Sequence, residues 1–457
     1  MSRALLAFLV VMTSSIVTAG ELRIGASAVS ITPPVGAALA GYYSPRAASG
    51  VHDELYASAL VMEQDGSKAA MVVCDLLTLP RGIVLQSRQL IEQQSGITAD
   101  RVMISATHTH TGPALPVGSS RDPALEADTP QMQEYVRSLP GLIARAVKEA
   151  DAKLAPAKAS AASGREEHLS FNRRYFMSDD TVGWNPGKRN PKIVKPAGPI
   201  DPDVPVVYFQ SPTGEPIATY VNFAMHLDTT GGTMISSDYP FTLRTLLGRI
   251  KGPEMISIFS TGTCGDINHI DVTSADPQKG TTEPQRIGTI LAGEVLKTYA
   301  KLQPITTAAP RATSRVLELA LPKVTAEDLA QARKVATTFG KNTPPFLERV
   351  NAYKILDVAA REGKPLEAEV QVISLGDDLA WVALPGEIFV ELGLEIKKQS
   401  PFKNTILVEL ADGSVGYVPT ERAYKEGNYE PTSARCAAGS GEQIEQAAIE
   451  LLKELKR

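Results

Sequence analysis

The sequence predicts an α/β fold, a single large domain of mixed β-sheets flanked by helices. Three observations predict it. Short apolar and β-branched runs alternate with segments of helical periodicity along the chain. The apolar and charged shares, 43% and 21%, are those of a folded protein with a real core. The 457 residues allow two or three domains, yet no internal repeat or low-complexity tract is visible. The stretch 303–310 is the one candidate linker, so a boundary near Gln303 is the alternative. A net charge of −5 excludes general nucleic-acid binding, which needs a basic face.

The chain opens on an export signal, residues 1–19. Arg3 gives the positive start, residues 4–12 are apolar, and Val17-Thr18-Ala19 resembles a small-residue cleavage site. The apolar run is too short to span a bilayer, and no other segment reaches transmembrane length. The product is expected to be exported, periplasmic or extracellular. Its three cysteines, Cys74, Cys264 and Cys436, allow at most one internal disulfide. No Cys-x-x-Cys pair exists, which argues against a thiolate zinc site.

Residues 21–32 read as a strand closed by Pro33-Pro34. Residues 55–62 and 68–76 read as a hairpin around Asp65-Gly66. A helix over 81–94 stops at Gly96. Residues 101–106 form a strand, and 131–153 a helix that Pro140 breaks or kinks. Residues 183–202, crowded with Pro, Gly, Lys and Asn, read as a long surface loop. Strands follow at 204–209 and 217–223, then a helix at 241–250, a buried strand at 255–259 and a long helix at 283–302. Thr325 to Asp328 reads as a capping box opening a helix to about Thr338. Residues 347–361 are helical. Residues 367–375 and 379–384 form a hairpin over Gly376-Asp377-Asp378, and a helix is expected to start at Pro385-Gly386-Glu387. Residues 439–456 form an amphipathic helix.

Four polar clusters fall at strand ends, where α/β proteins collect functional groups. The first is Thr107-His108-Thr109-His110-Thr111-Gly112-Pro113, which holds two of only six histidines, both on one side of an extended segment. The second is Asn222-Phe223-Ala224-Met225-His226. The third is Thr261-Gly262-Thr263-Cys264-Gly265-Asp266-Ile267-Asn268-His269, whose small residues let backbone approach a ligand. The fourth is Glu387. Taken alone, a helix dipole explains Glu387 and structural hydrogen bonds explain His226. Two histidines, a carboxylate and a water would match hydrolytic zinc, but spacing cannot assemble residues this far apart. No Gly-x-Ser-x-Gly elbow and no phosphate-binding glycine motif occurs.

Set together, these segments resemble the N-terminal catalytic domain of the neutral/alkaline (non-lysosomal) ceramidase family. The resemblance starts at Gly25-Ala26-Ser27-Ala28-Val29-Ser30-Ile31-Thr32-Pro33-Pro34-Val35-Gly36, Ala40-Gly41-Tyr42 and Val51-His52-Asp53-Glu54-Leu55-Tyr56. It continues through the histidine pair, Phe171-Asn172-Arg173-Arg174, Asn222 to His226, Gly265-Asp266, Leu384-Pro385-Gly386-Glu387 and Gly416-Tyr417-Val418-Pro419-Thr420. It implies hydrolysis of the amide of ceramide, or of a related N-acyl lipid, by a water activated on one zinc ion. By motif, the implied zinc ligands are His108, His226, Glu387 and Tyr417. The implied catalytic residues are His110, Arg173 and Tyr429, with Asn268 as a hydrogen-bond donor. The implied partner is a lipid-like small molecule, met transiently at a membrane surface, with no transmembrane span and no nucleic acid.

Two departures stand out. Where the family carries Ser-Pro-Asn after Gly-Asp-x, this chain has Asn268-His269-Ile270, which excludes a serine nucleophile there. The family's C-terminal immunoglobulin-like domain is also absent, so residues 20–457 are expected to be catalytic domain alone. Two alternatives stay open: a hydrolase of the same fold acting on another amide or ester, and a non-catalytic exported binding protein on the same scaffold.

Overall fold

Three β-β-β-α-β-α units follow one another along the chain. The computed structural model describes residues 20–116, 118–306, 308–338 and 344–456, so the expected export signal lies outside the described residues. The first unit comprises strands Arg23–Ser30, Tyr56–Gln64 and Ser67–Cys74, helix Arg81–Ser95, strand Val102–Ala106 and helix Pro130–Asp151. The second comprises Lys158–Arg165, Asp203–Gln210, Pro216–Phe223, helix Tyr239–Lys251, Ile256–Thr261 and helix Thr282–Tyr299. The third comprises Arg311–Leu319, Leu366–Leu375, Leu379–Leu384, helix Val390–Gln399, Asn404–Glu409 and helix Ser440–Lys456. Each sheet has its four strands in the order fourth, third, second, first. Neighbours are antiparallel except the third and fourth strands, which run parallel around their crossover helix.

This threefold repeat is a correction to the sequence reading, which sees none. The units share topology but differ in the connection between first and second strands, which spans residues 31–55, 166–202 and 320–365. Those insertions of unequal length hide the period.

The three sheets face one another across a shared core. Ile24, Leu60 and Met103 of the first sheet, Phe209, Tyr220 and Ile258 of the second, and Ile373, Trp381 and Val408 of the third belong to one buried cluster. Each sheet's other face is covered by its own helices, through Ile83 and Leu139, Leu243 and Leu291, and Leu392 and Ile449. Strands buried on both faces read as continuous apolar runs, as they do here.

Local signals place most elements as read. Asp65 and Gly66 both take positive φ, as a two-residue turn between twisted strands requires. Gly96 is left-handed where its helix ends, and Thr325 and Asp328 form a reciprocal capping box. Pro140 lies inside one continuous helix.

Two segments differ from expectation. Residues 183–202 are not plain loop: Val182–Trp184 and Ile193–Pro196 flank Arg174–Met177 in a small sheet. Glu387 does not open a helix. Its N–H donates to Gly416 O at 2.9 Å, Glu387–Ile388 pairs in parallel with Tyr417–Val418, and the helix begins at Val390. All three cysteines are buried and free. Among the described residues, no helix is long and apolar enough to cross a membrane.

The first and third units are clamped by buried charge. Arg88 donates to both oxygens of Glu369 at 2.9 and 3.0 Å and lies 2.8 Å from Asp412 Oδ1. Asp412 Oδ1 also accepts from Ile104 N at 2.9 Å, on the strand that leads to His108. Removing one partner leaves buried acids without their cation. Arg88→Ala is expected to lower the unfolding free energy by about 3–5 kcal/mol in a denaturant titration. A loss below about 1 kcal/mol would show that desolvation cancels the clamp.

Candidate metal centre

The carboxyl ends of the parallel strand pairs converge on one buried spot. His108 lies two residues beyond Val102–Ala106, His226 three beyond Pro216–Phe223, and Glu387 three beyond Leu379–Leu384. Tyr417 lies on the segment that leaves Asn404–Glu409 and pairs directly with Glu387. Four residues from distant parts of the sequence thus meet as the sheets meet.

His108 is held in a costly conformation. Its φ of 74° is left-handed, rare for a residue with a side chain, and such strain costs about 1–3 kcal/mol. Its N–H donates to Leu76 O at 2.9 Å, and its Nδ1 lies 2.9 Å from Leu77 O. His226 Nδ1 lies 3.0 Å from Ile267 O. A carbonyl only accepts, so Nδ1 carries the proton on both rings. Both Nε2 atoms then turn inward, each 3.3 Å from Glu387 Oε2. Despite that closeness, Glu387 Oε2 is buried and makes no hydrogen bond.

The electrostatics favour a positive charge among these groups. Burial opposes the charge of Glu387, but His108 and His226 outweigh it and hold the carboxyl well below its usual range. Burial likewise opposes a charge on His108, and Glu387 overcomes it, raising that imidazole. Burial and then Arg173 push His226 down to about 4. Burial and then Glu387 drive the Tyr417 phenol up.

His110 completes a group of three imidazoles whose ring nitrogens lie within 4.8 Å of one another. Its Nε2 is 3.4 Å from His108 Nε2. Its Nδ1 has no hydrogen-bond partner and lies 3.9 Å from Asp228 Oδ1. Asp228 is braced by the Tyr42 hydroxyl and by Lys279 Nζ at 2.8 Å. Burial opposes its charge, while His110 and Lys279 outweigh that and hold it at about 2. Gly41 makes room for the imidazole: a Cβ there would lie 2.5 Å from His110 Nδ1. Gly265 does the same for Glu387, whose carbonyl would sit 2.4 Å from an added Cβ.

Arg173 is buried against the cluster. It donates to Gly265 O at 2.6 Å, to Glu430 Oε1 at 2.8 Å and to the Tyr417 hydroxyl at 3.2 Å, and its NH1 is 3.2 Å from His226 Nε2. The Tyr429 ring meets the Tyr417 ring edge-on, centroids 5.4 Å apart. Burial and then Tyr43 raise the Tyr429 phenol, which stays protonated. A cavity opens beside these groups, lined by His110, Arg173, His226, Asn268, Tyr417 and Tyr429 among others.

Of the expected site residues, His108, His110, His226, Glu387, Tyr417, Arg173 and Tyr429 share one constellation. Asn268 lines the cavity but points elsewhere. Its Nδ2 donates to Asn185 Oδ1 at 3.0 Å and its Oδ1 accepts from Ile270 N at 3.0 Å. Sequence reasoning missed Asp228 and Glu430, although each neighbours a residue it found, and it missed Trp184 and Phe346, which carried no signal.

The donor set fits a divalent cation. Two imidazole Nε2 atoms oriented by carbonyls and an ionised carboxylate are ligands of the kind zinc takes, and the Tyr417 phenol stands beside them. His110 offers a third imidazole to the same point.

No curated protein matches the chain by sequence. Residues 22–239 match the family described as neutral/alkaline non-lysosomal ceramidase, N-terminal. Among solved structures, the chain is similar to a neutral ceramidase from Pseudomonas aeruginosa, at 18% identity and a TM-score of 0.77, over 96% of this chain and 75% of that one. It is also similar to a ceramidase complexed with C2, at 18% identity and a TM-score of 0.74, over the same shares. At that identity the likeness is one of fold. Residues 22–239 are thus similar in sequence to the neutral/alkaline non-lysosomal ceramidase family, and the chain as a whole is similar in fold to solved neutral ceramidases.

Proposed function

We propose that the chain is a zinc-dependent amidohydrolase that cleaves the amide of ceramide or a related N-acyl lipid. The observation that carries this reading is Glu387 Oε2, buried 3.3 Å from two inward-facing imidazole nitrogens and bonded to neither. His108, His226, Glu387 and Tyr417 would hold the ion. Zinc in such a site supplies a water acidic near neutrality and polarises a carbonyl. The family match, the fold and the adjoining cavity support the hydrolytic reading.

The chain's own groups do the rest. Amide hydrolysis builds negative charge on the carbonyl oxygen and needs a proton on the departing nitrogen. Arg173 presents a fixed positive charge that Glu430 and Gly265 hold in place, suited to the developing oxyanion. Tyr429, kept protonated, is a hydrogen-bond donor on the same wall. His110 lines the cavity with Asp228 behind it, so it is placed to accept a proton and return it to the amine. Asn268 bonds within the protein and shapes the wall. The signal-like residues 1–19 support action outside the cytoplasm, in the periplasm or beyond the cell.

His108→Ala, His226→Ala and Glu387→Gln are each expected to lose stoichiometric zinc, read by elemental analysis of purified protein, together with amide hydrolysis. Full activity in any one of them removes that residue from the site. His110→Ala is expected to keep the metal while kcat falls by about 10²–10⁴-fold. Loss of metal in that variant would make His110 a ligand instead. Asn268→Ala is expected to be milder than any ligand change, and complete loss of turnover would overturn the wall role.

A further inference from the structure

The cavity beside His110 and His226 measures about 400 Å³. Small-molecule sites run from roughly 300 to 1,000 Å³, so this one is small.

One wall is aromatic and braced. Trp184 and Phe346 lie nearly parallel, 16° apart with centroids 5.8 Å apart. Tyr429 stands 4.4 Å from Trp184 and 5.6 Å from Phe346, and Tyr43 meets Phe346 edge-on at 5.4 Å. Phe346 opens helix Phe346–Ala359, which packs on helix Ala326–Ala336 through Ala332, Val335, Ala352 and Ile355. Asp357 on that helix accepts from Ser120 N at 2.9 Å and Arg435 Nε at 2.8 Å, which ties the helix to the body.

The lining also carries polar groups without partners. Trp184 Nε1 is buried and donates to nothing. His269 Nε2 lies 2.6 Å from Gln278 O, so it carries the ring proton, and the buried Nδ1 is an acceptor without a donor.

We infer that this cavity takes one short arm of an N-acyl amine and that Phe346 sets the length it accepts. The other arm leaves through the mouth. The catalytic half of this inference rests on the amide-hydrolase reading; the binding half does not.

Two substrate series test it on the zinc-loaded protein: N-acyl ethanolamides from acetyl to hexadecanoyl, and N-acetyl alkylamines of matched lengths. Binding is read from tryptophan emission. The chain has two tryptophans, and Trp381 is fully buried in the shared core, so a ligand-dependent change reports Trp184. In at least one series, short members are expected to saturate the change and to have the highest kcat/KM. The longest member should fall by about tenfold or more in both measures. Phe346→Ala, with Phe346→Leu as the milder variant, should shift the cut-off to longer arms. Equal binding and turnover of long and short members in both series overturns the inference, as does an unchanged cut-off in both variants. A length cut-off in binding with no turnover of any amide upholds the inference and sinks the hydrolase reading. Turnover without any length preference does the reverse.

Discussion

A carboxylate buried between two imidazoles must share a positive charge, and the centre of this protein is arranged around that requirement. Leu77 O and Ile267 O take the Nδ1 protons of His108 and His226. Both Nε2 atoms are thereby turned toward Glu387 Oε2, and Arg173 NH1 reaches His226 Nε2 from the side at 3.2 Å. The Arg173 guanidinium supplies one positive charge at the His226 side, and a further cation or proton between His108 and Glu387 would be held strongly in so dry an interior. The strain in the His108 backbone belongs to the same account. A left-handed histidine persists only where its surroundings over-determine it, and here two carbonyls from the loop after Ser67–Cys74 do so.

The threefold arrangement explains why this point exists. Each unit has one parallel pair, and only parallel pairs bring two strand ends out side by side, where α/β proteins place their ligands. The three pairs meet edge to edge. Ala106 N donates to Leu410 O at 3.1 Å, Asp412 N to Ile104 O at 2.7 Å, and Asn222 Nδ2 to Leu407 O at 2.8 Å. These bonds fix the registry of the sheets against one another. A shift of one residue in any of them would carry a histidine or a carboxylate out of the cluster. Gly265 shows how tight the fit is, since nothing larger than hydrogen fits against the Glu387 carbonyl.

How much of this was legible depended on whether the signal was local. The hairpin at Asp65-Gly66, the left-handed Gly96 and the Thr325 capping box are decided within a few residues, and the sequence reading placed them. His108 and His226 stood out as rare residues at strand ends. Glu387 was singled out on the wrong element, because its partner strand lies thirty residues on and pairs through Gly416 O. Glu430, which holds both Arg173 and Arg174, was invisible for the same reason: its role is fixed by residues more than 250 positions away. The repeat escaped notice because the units conserve strand order and crossover rather than residues, and unequal insertions displace the period.

Those insertions account for the division of labour in the site. Donors for a metal come from the ends of third and fourth strands, which the sheet contacts hold rigid. Much of the cavity wall comes from the connections between first and second strands: Gly41, Tyr42 and Tyr43 from residues 31–55, Arg173, Trp184 and Asn185 from residues 166–202, and Phe346 from residues 320–365, with Asn268, His269 and Tyr429 added by segments that follow fourth strands. A connection at a sheet's far edge can change length without disturbing the shared core, because loop closure costs little more as a loop grows. Strand ends have no such freedom. The fold can therefore keep one chemistry while its walls change shape, and Phe346, the part of the aromatic wall that the longest insertion supplies, is where substrate choice is most easily rewritten.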